Sequence, residues 1–392
     1  MTRYILQRLG FAALTLLIIS MLSYVLTASF GPNAYEILAD EQWAKPGIKP
    51  AGSYEDFVKI LEIKHGLRYG EISLDETKVI VDNGPIPAIV RYFRYIGNFL
   101  KGDYGFVINP KNNPDPVNYD TMPKLFFVPL KYSLMVTFPA FVLSSITGVT
   151  LGIFAGYKRG KLFDSAINVF VMIFIALPSF IIAPIAISIS TKLGILPVVP
   201  EMDGSQPFGV VFAALLPPIL VITISSLASY TIYARNQVIT VLTSNYILIA
   251  KTKGLSHIQI FFKYVFRNIS IPIFAIVFPS FIGLLSGGII IERFWNIKGT
   301  SQVIAFSFPN GEINIVMFSI QFFTFVSLLV ELFVDVMYVV LDPRIKYGKT
   351  NKRNYIWFIK AFFIRRKLAK ERFAKMANEN QKNEQILNGV KW

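Results

Sequence analysis

Apolar runs of twenty residues or more recur along this chain, and nothing else in it limits the fold as strongly. A helix needs about 20 mostly apolar residues to cross the hydrocarbon core of a bilayer. The first run opens beside Arg3 and Arg8 and covers residues 4–30. Five more follow, at about 127–157, 165–193, 210–233, 271–291 and 315–341. Charged residues make up only 16% of the 392, against about a quarter in a soluble domain. The expected fold is therefore all-α, a polytopic membrane protein of about six transmembrane helices. A cleaved signal peptide is the rival reading of the first run, because basic residues before an apolar stretch open both. The stretch exceeds a signal core and no small-x-small site precedes Gly31-Pro32, so an uncleaved helix is expected.

Pro139, Pro178, Pro184, Pro217, Pro218 and Pro279 sit inside these runs. Neighbouring helices can resatisfy the freed carbonyls in a packed bundle, so kinked helices are expected. Gly148, Gly152 and Gly156, and again Gly283, Gly287 and Gly288, recur at helical spacing. Small residues there permit close helix packing.

Orientation follows from Lys and Arg in the short loops. The net charge of +15 is concentrated in a few of them. The second loop holds Lys158, Arg159 and Lys161, and the fourth holds Arg235, Lys251, Lys253, Lys263 and Arg267 without an acid. With six spans these loops, the N-terminus and the basic segment after Leu341 share one side, expected to be cytoplasmic. The opposite loops carry Glu201 and Asp203, Glu292 and Glu312. The absence of cysteine excludes disulfides, thiolate metal sites and cysteine nucleophiles. With only His65 and His257, a histidine-rich metal site is not expected.

Residues 31–126 form the outer segment between the first two spans. A helix over 54–63 capped by Ser53 and an amphipathic helix over 87–99 closed by a glycine turn at Lys101-Gly102-Asp103-Tyr104-Gly105 are expected there. Residues 127–345 form the core, with its cytoplasmic loop at about 234–270, and 346–392 form a basic tail. In that tail residues 355–364 are apolar but too short to span, and Arg365, Arg366, Lys367, Lys370, Arg372 and Lys375 follow. The pattern favours attraction to anionic lipid over nucleic acid. Residues 378–388 are polar and expected to be disordered.

The fourth loop is the most informative stretch. The helix of the fourth span continues past Tyr233, a second helical stretch covers 246–250, Gly254 breaks it, and Ser256 with Gln259 has capping-box spacing for a helix over 256–266. Pro272 suits the first turn of the next span. Ile247, Ile249, Ile258, Ile260, Phe261 and Phe262 are too apolar for a solvated loop. They require a partner surface, which is another protein, the chain itself or lipid.

The stretch Asn245-Tyr-Ile-Leu-Ile-Ala-Lys-Thr-Lys-Gly-Leu-Ser-His-Ile-Gln-Ile-Phe-Phe-Lys-Tyr-Val-Phe-Arg-Asn268 resembles the EAA loop of binding-protein-dependent ABC importer permeases. It is most similar to the B-type subunits of oligopeptide, dipeptide and nickel importers. The resemblance covers nearly the whole chain. It is carried also by Arg3-Tyr-Ile-Leu-Gln-Arg-Leu9, Gly31-Pro32-Asn33, Tyr95-Ile-Gly-Asn-Phe-Leu-Lys-Gly-Asp-Tyr-Gly105, Leu177-Pro178-Ser179-Phe180, Leu193-Gly-Ile-Leu-Pro197 and the Val334-to-Arg344 stretch ending in Leu-Asp342-Pro343-Arg344. The chain departs from the pattern at Leu248 and Ile249, which replace Glu and Ala, at Ile297 and Lys298, which replace Trp-Pro, and in an apparent insertion over about 68–84.

The resemblance implies a permease subunit with no ATPase site of its own, in a prokaryotic cell membrane with both termini cytoplasmic. It implies a second homologous permease, two ABC ATPase subunits that hold ATP and Mg, and an extracellular substrate-binding protein; no cofactor is expected on this chain. The cargo it implies is oligopeptide. The joint with the ATPase is expected at Tyr246, Ala250, Lys253, Gly254, Leu255 and Arg267. Gly156-Tyr-Lys-Arg-Gly-Lys161 only approaches a phosphate-binding loop, being one residue short and lacking Ser or Thr.

Glu331 and Asp335 are the intramembrane acids, four apart and so on one helix face. An ionised acid facing lipid is costly, so that face is expected to point into the bundle, as a wall of the pathway or as a helix-packing contact, or else to lie near the cytoplasmic boundary, Asp342 following Asp335 by seven residues. They are also the only candidates for the alternative function, an ion-coupled secondary transporter, which would additionally call for internal repeats. The topology is checked by single cysteines: those at Ser53, Ser205 and Ser307 are expected to label from outside intact cells and one at Ser256 is not. Labelling at Ser256 would invert the assignment.

Overall fold

A computed structural model describes residues 2–45, 53–73, 78–200, 205–341 and 355–389. Glu201, Asp203 and Asp342-Pro343-Arg344 lie outside the described residues. The chain divides into two compact units, residues 5–344 and residues 1–4 with 345–392.

In the larger unit α1 (Thr2–Phe30) ends at Gly31-Pro32, and α2 (Ala34–Trp43) and α3 (Tyr54–Lys64) follow. Ser53 caps α3 as its spacing predicts, accepting from the Asp56 amide at 3.2 Å. The apparent insertion folds as an antiparallel hairpin of β1 (Arg68–Ile72) and β2 (Val79–Pro85), with Gly70 opposite Asp82. Arg68 joins it to α3, donating to Glu62 and to Asp82, each at 2.9 Å. These strands modify an otherwise all-helical chain. The amphipathic segment is α4 (Ala88–Leu100), closed by Gly102 at φ +87°. The Gly102 and Asp103 amides turn back onto the Phe99 and Asn98 carbonyls, each at 3.0 Å. That is the paired bonding a left-handed glycine allows at a helix end.

The core follows as α5 (Met122–Tyr157), α6 (Leu162–Ala176), α7 (Ser179–Lys192), α8 (Phe208–Leu242), α9 (Asn245–Thr252), α10 (His257–Ile260), α11 (Arg267–Ser286), α12 (Ile289–Phe294), α13 (Thr300–Ser307) and α14 (Ile313–Leu341). Among the described residues five stretches are long and apolar enough to cross a membrane: Tyr4–Trp43, Met122–Tyr157, Phe208–Leu242, His257–Ser286 and Ile313–Tyr338. The pair α6 and α7 makes a sixth if it is one broken span. The single helix expected over 165–193 is bent by 102° between α6 and α7. Leu177, the residue before Pro178, is pushed into extended backbone at ψ 111°. Pro178 then serves as the N-cap of α7.

Helices α5 and α8 form the most extensive packing in the chain. Gly148, Gly152 and Gly156 make it possible. A Cβ on Gly152 would stand 2.4 Å from the Thr231 carbonyl oxygen, and one on Gly156 would stand 2.7 Å from a Val238 methyl. Gly283 does not share this role, since nothing lies within 4 Å of a Cβ placed there, and at Gly287 only its own helix does. Apolar clusters continue the packing toward the N-terminal end of α5. One joins α5, α7, α8 and α12 around Val136, Ala183, Val221 and Trp295. Another seats Met122, Leu125 and Phe126 against Ile315 and Phe318.

The smaller unit contains α15 (Tyr355–Gly389). Residues 378–388, expected to be disordered, are helical within it. Their Glu, Gln, Lys and Leu residues favour helix, against the weaker propensity of the interspersed asparagines. In the labelling scheme Ser307 is a poor position, being 1% exposed, whereas nearby Pro309 is exposed. Gly152→Ala is expected to destabilise the purified protein by roughly 1–3 kcal/mol through overpacking, while Gly283→Ala is expected to be neutral. Thermal unfolding of both variants in one detergent checks the contrast.

Candidate functional site

Helix α8 runs on past the expected span to Leu242, and the chain reverses at Thr243-Ser244 into α9. The inner face of α9 is fixed by Ile247 and Ala250, both almost fully buried against Ala234, Val238 and Val241 of α8. Gly254, at φ +75°, ends α9. The Leu255 amide donates to the Ala250 carbonyl at 3.3 Å and the Gly254 amide to Lys251 at 3.0 Å. Leu255 then folds back onto the same apolar cluster. A Cβ at Gly254 would meet nothing, so the glycine is required by its backbone angle and not by crowding.

Ser256 begins the next helix with the expected capping box. Its hydroxyl accepts from the Gln259 amide at 3.3 Å, and the Gln259 side chain accepts from the Ser256 amide at 2.9 Å. The helix expected to stop near residue 266 does not stop. It passes through a π-helical turn at Phe261–Phe266 directly into α11. Pro272 therefore lies inside the helix rather than in its first turn. A sequence containing proline reads as a start, but packed spans tolerate interior proline, and α11 does so twice.

The six apolar residues of this loop divide in two. Ile247 and Ile260 are buried and Phe261 is half-buried, its ring 6.0 Å from that of Tyr157. Ile249 is 55% exposed, Ile258 71% and Phe262 65%. Leu248, Tyr246 and Phe266 are exposed beside them. The chain thus supplies a partner for the inner half of the loop, and the outer half presents large apolar side chains ringed by exposed Lys251, Lys253, Lys263 and Arg267.

Of the residues expected at the joint, Lys253, Gly254 and Arg267 are exposed, and Tyr246 is exposed with its ring stacked 6.5 Å from Tyr264. Leu255 is half-buried and Ala250 is 2% exposed. Ala250 and Leu255 hold the loop to its bed, and the other four face outward. Glu331 and Asp335 are not brought to one buried face. Asp335 accepts an ion pair from Arg8 of α1 at 2.8 Å, with 13% of its side chain exposed, and Glu331 is exposed.

Three buried acids do structural work that the sequence did not announce. Asp164 pairs with Arg235 through two hydrogen bonds, at 2.5 and 2.9 Å, and accepts from the Gly160 amide at 2.9 Å. This fastens the second loop to α8 directly beside the fourth, so Arg235 is not one of the loop's free charges. At the opposite end Glu312 takes the Ile108 amide at 2.8 Å, the Asn109 amide at 2.7 Å and the Asn112 side chain at 2.9 Å. Glu292 accepts from the Ser133 hydroxyl at 2.6 Å and the Gln302 amide at 3.2 Å. Burial pushes both glutamates above the usual carboxylate range, and these donors act in the opposite sense. Their partners lie up to 204 residues away, and no local signal marks such a pair. Only the apolar Ile289-Ile-Ile run before Glu292 hinted at burial.

The Asp164–Arg235 pair is expected to behave as a buried pair does. Asp164→Ala or Arg235→Ala alone, leaving an uncompensated charge, is expected to destabilise more than the double replacement. Thermal unfolding of the three variants completes the cycle; additive losses would contradict it.

Residues 148–347 match the protein family described as binding-protein-dependent transport system inner membrane component. The oligopeptide transport system permease protein OppB of Mycoplasma genitalium is 31% identical over 266 residues, covering 68% of this chain and 64% of that protein. The Mycoplasma pneumoniae OppB is 30% identical, with 65% of its length covered. The match thus spans just under two thirds of these two relatives. The dipeptide transport system permease protein DppB of Bacillus subtilis is 26% identical over 352 residues, 89% of this chain and 99% of that protein. Among solved structures, inward-facing conformations of the MetNI methionine ABC transporter give a TM-score of 0.44 at 15% identity over 56% of this chain and 97% of that chain.

Proposed function

The chain belongs to the family of binding-protein-dependent transport system inner membrane components, and on that premise we propose that it is one permease half of an ATP-driven importer of oligopeptides. Relatives named as oligopeptide and dipeptide permeases support the cargo. A second permease would complete the pathway, two ATPase subunits would hold ATP and Mg, and a substrate-binding protein would deliver the peptide. The basic end of the larger unit faces the cytoplasm, as the positive-inside rule requires. The outer segment then meets the delivery protein or the second permease, and the basic residues of α15 meet anionic lipid.

The carrying observation is the divided loop. Its inner half is packed on α5 and α8, and its outer half offers Leu248, Ile258 and Phe262 to a partner. Burying three such side chains contributes on the order of 5 kcal/mol before ordering costs, at about 1.5–3 kcal/mol each. Because the loop runs without a break into α11, movement of a docked ATPase would be passed to a membrane helix. The ion-coupled alternative has less support, since Asp335 is already neutralised by Arg8.

Two substitutions test the joint. Ile258→Asp places a charge on the outer face without touching the bed. Gly254→Val strains the backbone at φ +75° and displaces the start of α10. Leu255→Asp is less decisive, because Leu255 packs inward. Both chosen variants are expected to insert at near-normal levels, while recovery of the ATPase or ligand-stimulated hydrolysis falls about tenfold, the equivalent of one lost apolar anchor. Assembly and uptake at wild-type rates in both would remove the loop from the coupling role.

A further inference from the structure

At the end of the larger unit away from the fourth loop, a cavity of about 460 Å³ opens between the last turn of α1, the Gly31-Pro32-Asn33 turn, α4 and the turn preceding β1. That volume lies within the range of small-ligand sites. Its arginines and acids are equal in number but are not paired with one another among the described residues. Arg91 and Arg94 of α4 both line it. Arg91 donates through Nη2 to the Ala28 carbonyl at 3.4 Å, and its Nε is buried with no acceptor. Arg94 has no ion-pair partner among the described residues. Two acids also line the cavity, but each already has protein donors. Glu62 is held by Arg68 at 2.9 Å and Asn33 at 2.8 Å, and Asp103 accepts from the Gly105 amide at 3.0 Å. A buried guanidinium N–H without an acceptor is costly, and paired guanidiniums match the oxygens of a phosphate.

The depth of the cavity favours the same ligand. Tyr24, near the end of the apolar run of α1, stacks on Tyr95 at 5.4 Å and lies 5.8 Å from Tyr92. Such tyrosines mark the membrane–water boundary. On α4 the helical face opposite the arginines exposes Ile89, Phe93 and Leu100, the pattern of a helix lying in the interface.

We propose that this cavity binds a phosphate group, held by the guanidiniums of Arg91 and Arg94. The phosphate comes either from the headgroup of an anionic phospholipid or from a soluble phosphate compound. The site rests on the chain lying in a membrane and is independent of the importer reading and its cargo.

The test uses the full chain in detergent, as wild type, Arg94→Gln and Arg91→Gln/Arg94→Gln. One arm equilibrates each with mixed phosphatidylglycerol and phosphatidylcholine vesicles and follows retained lipid by native mass spectrometry. The other titrates inorganic phosphate and glycerol 3-phosphate against thermal unfolding. The basic tail is the same in all three proteins, so its lipid contacts cancel. Retention of phosphatidylglycerol by wild type, falling about tenfold or more in the double variant, assigns a headgroup. A stabilisation by soluble phosphate that the double variant loses assigns a free ligand. Arg94 is exposed and makes no bond on which the fold depends, so its single variant decides the matter if the double variant does not fold: an intermediate loss upholds the site. Equal retention and equal phosphate response in wild type and Arg94→Gln, or no binding by either probe, would overturn it.

Discussion

Helices α5 and α8 meet at glycine, backbone against side chain, and most of the larger unit is arranged around that contact. With Gly148, Gly152 and Gly156 aligned on one face of α5, the facing residues Leu227, Thr231, Ala234 and Val238 of α8 sit where any Cβ would collide with them. Within a bilayer no hydrophobic effect drives helices together, so close van der Waals approach has to supply the attraction. The same approach aligns the ends of the two helices. At one end Asp164 and Arg235 can then lock, and Val238 and Val241 become a floor for the fourth loop.

That floor explains how a short loop can be held firmly and still expose large apolar side chains. Ile247, Ala250 and Ile260 face inward, while Ile249, Ile258 and Phe262 face outward. The Gly254 turn and the Ser256 capping box fix the angle between the two short helices. A loop held only by its outer contacts would have to pay its ordering entropy on docking. Here the inner contacts and caps order it already, and the apolar outer face is left exposed.

The opposite end adds two buried glutamates to its apolar packing. Glu312 gathers the backbone of residues 108 and 109 onto the start of α14, and Glu292 ties α12 to α5 through Ser133. Loops that carry exposed backbone amides need such acceptors when they are packed against helices. The outer segment is consequently integral to the larger unit, with α4 seated on α1 and α14 through Tyr24, Tyr92 and Met317.

The spans, the capped helix after Ser53, the amphipathic α4, the glycine turn at Gly254 and the capping box at Ser256 were all legible in the sequence. Each depends on residues within about one or two helical turns, where periodicity and caps carry the information. The fourth loop was recognisable for the same reason, and so was the excess of apolar residues within it. Which of those residues face inward was decided by α8, a separate helix. The same holds for the uninterrupted passage into α11, the pairing of Arg8 with Asp335, and the burial of Glu292 and Glu312. In each case the deciding partner lies outside the local pattern, often more than a hundred residues away. The sequence determined which segments are helical and apolar enough to cross a bilayer, because those are properties of short segments in a given solvent. The tertiary structure decided which charges are spent and which apolar faces stay free, because burial and electrostatic pairing exist only once distant segments meet.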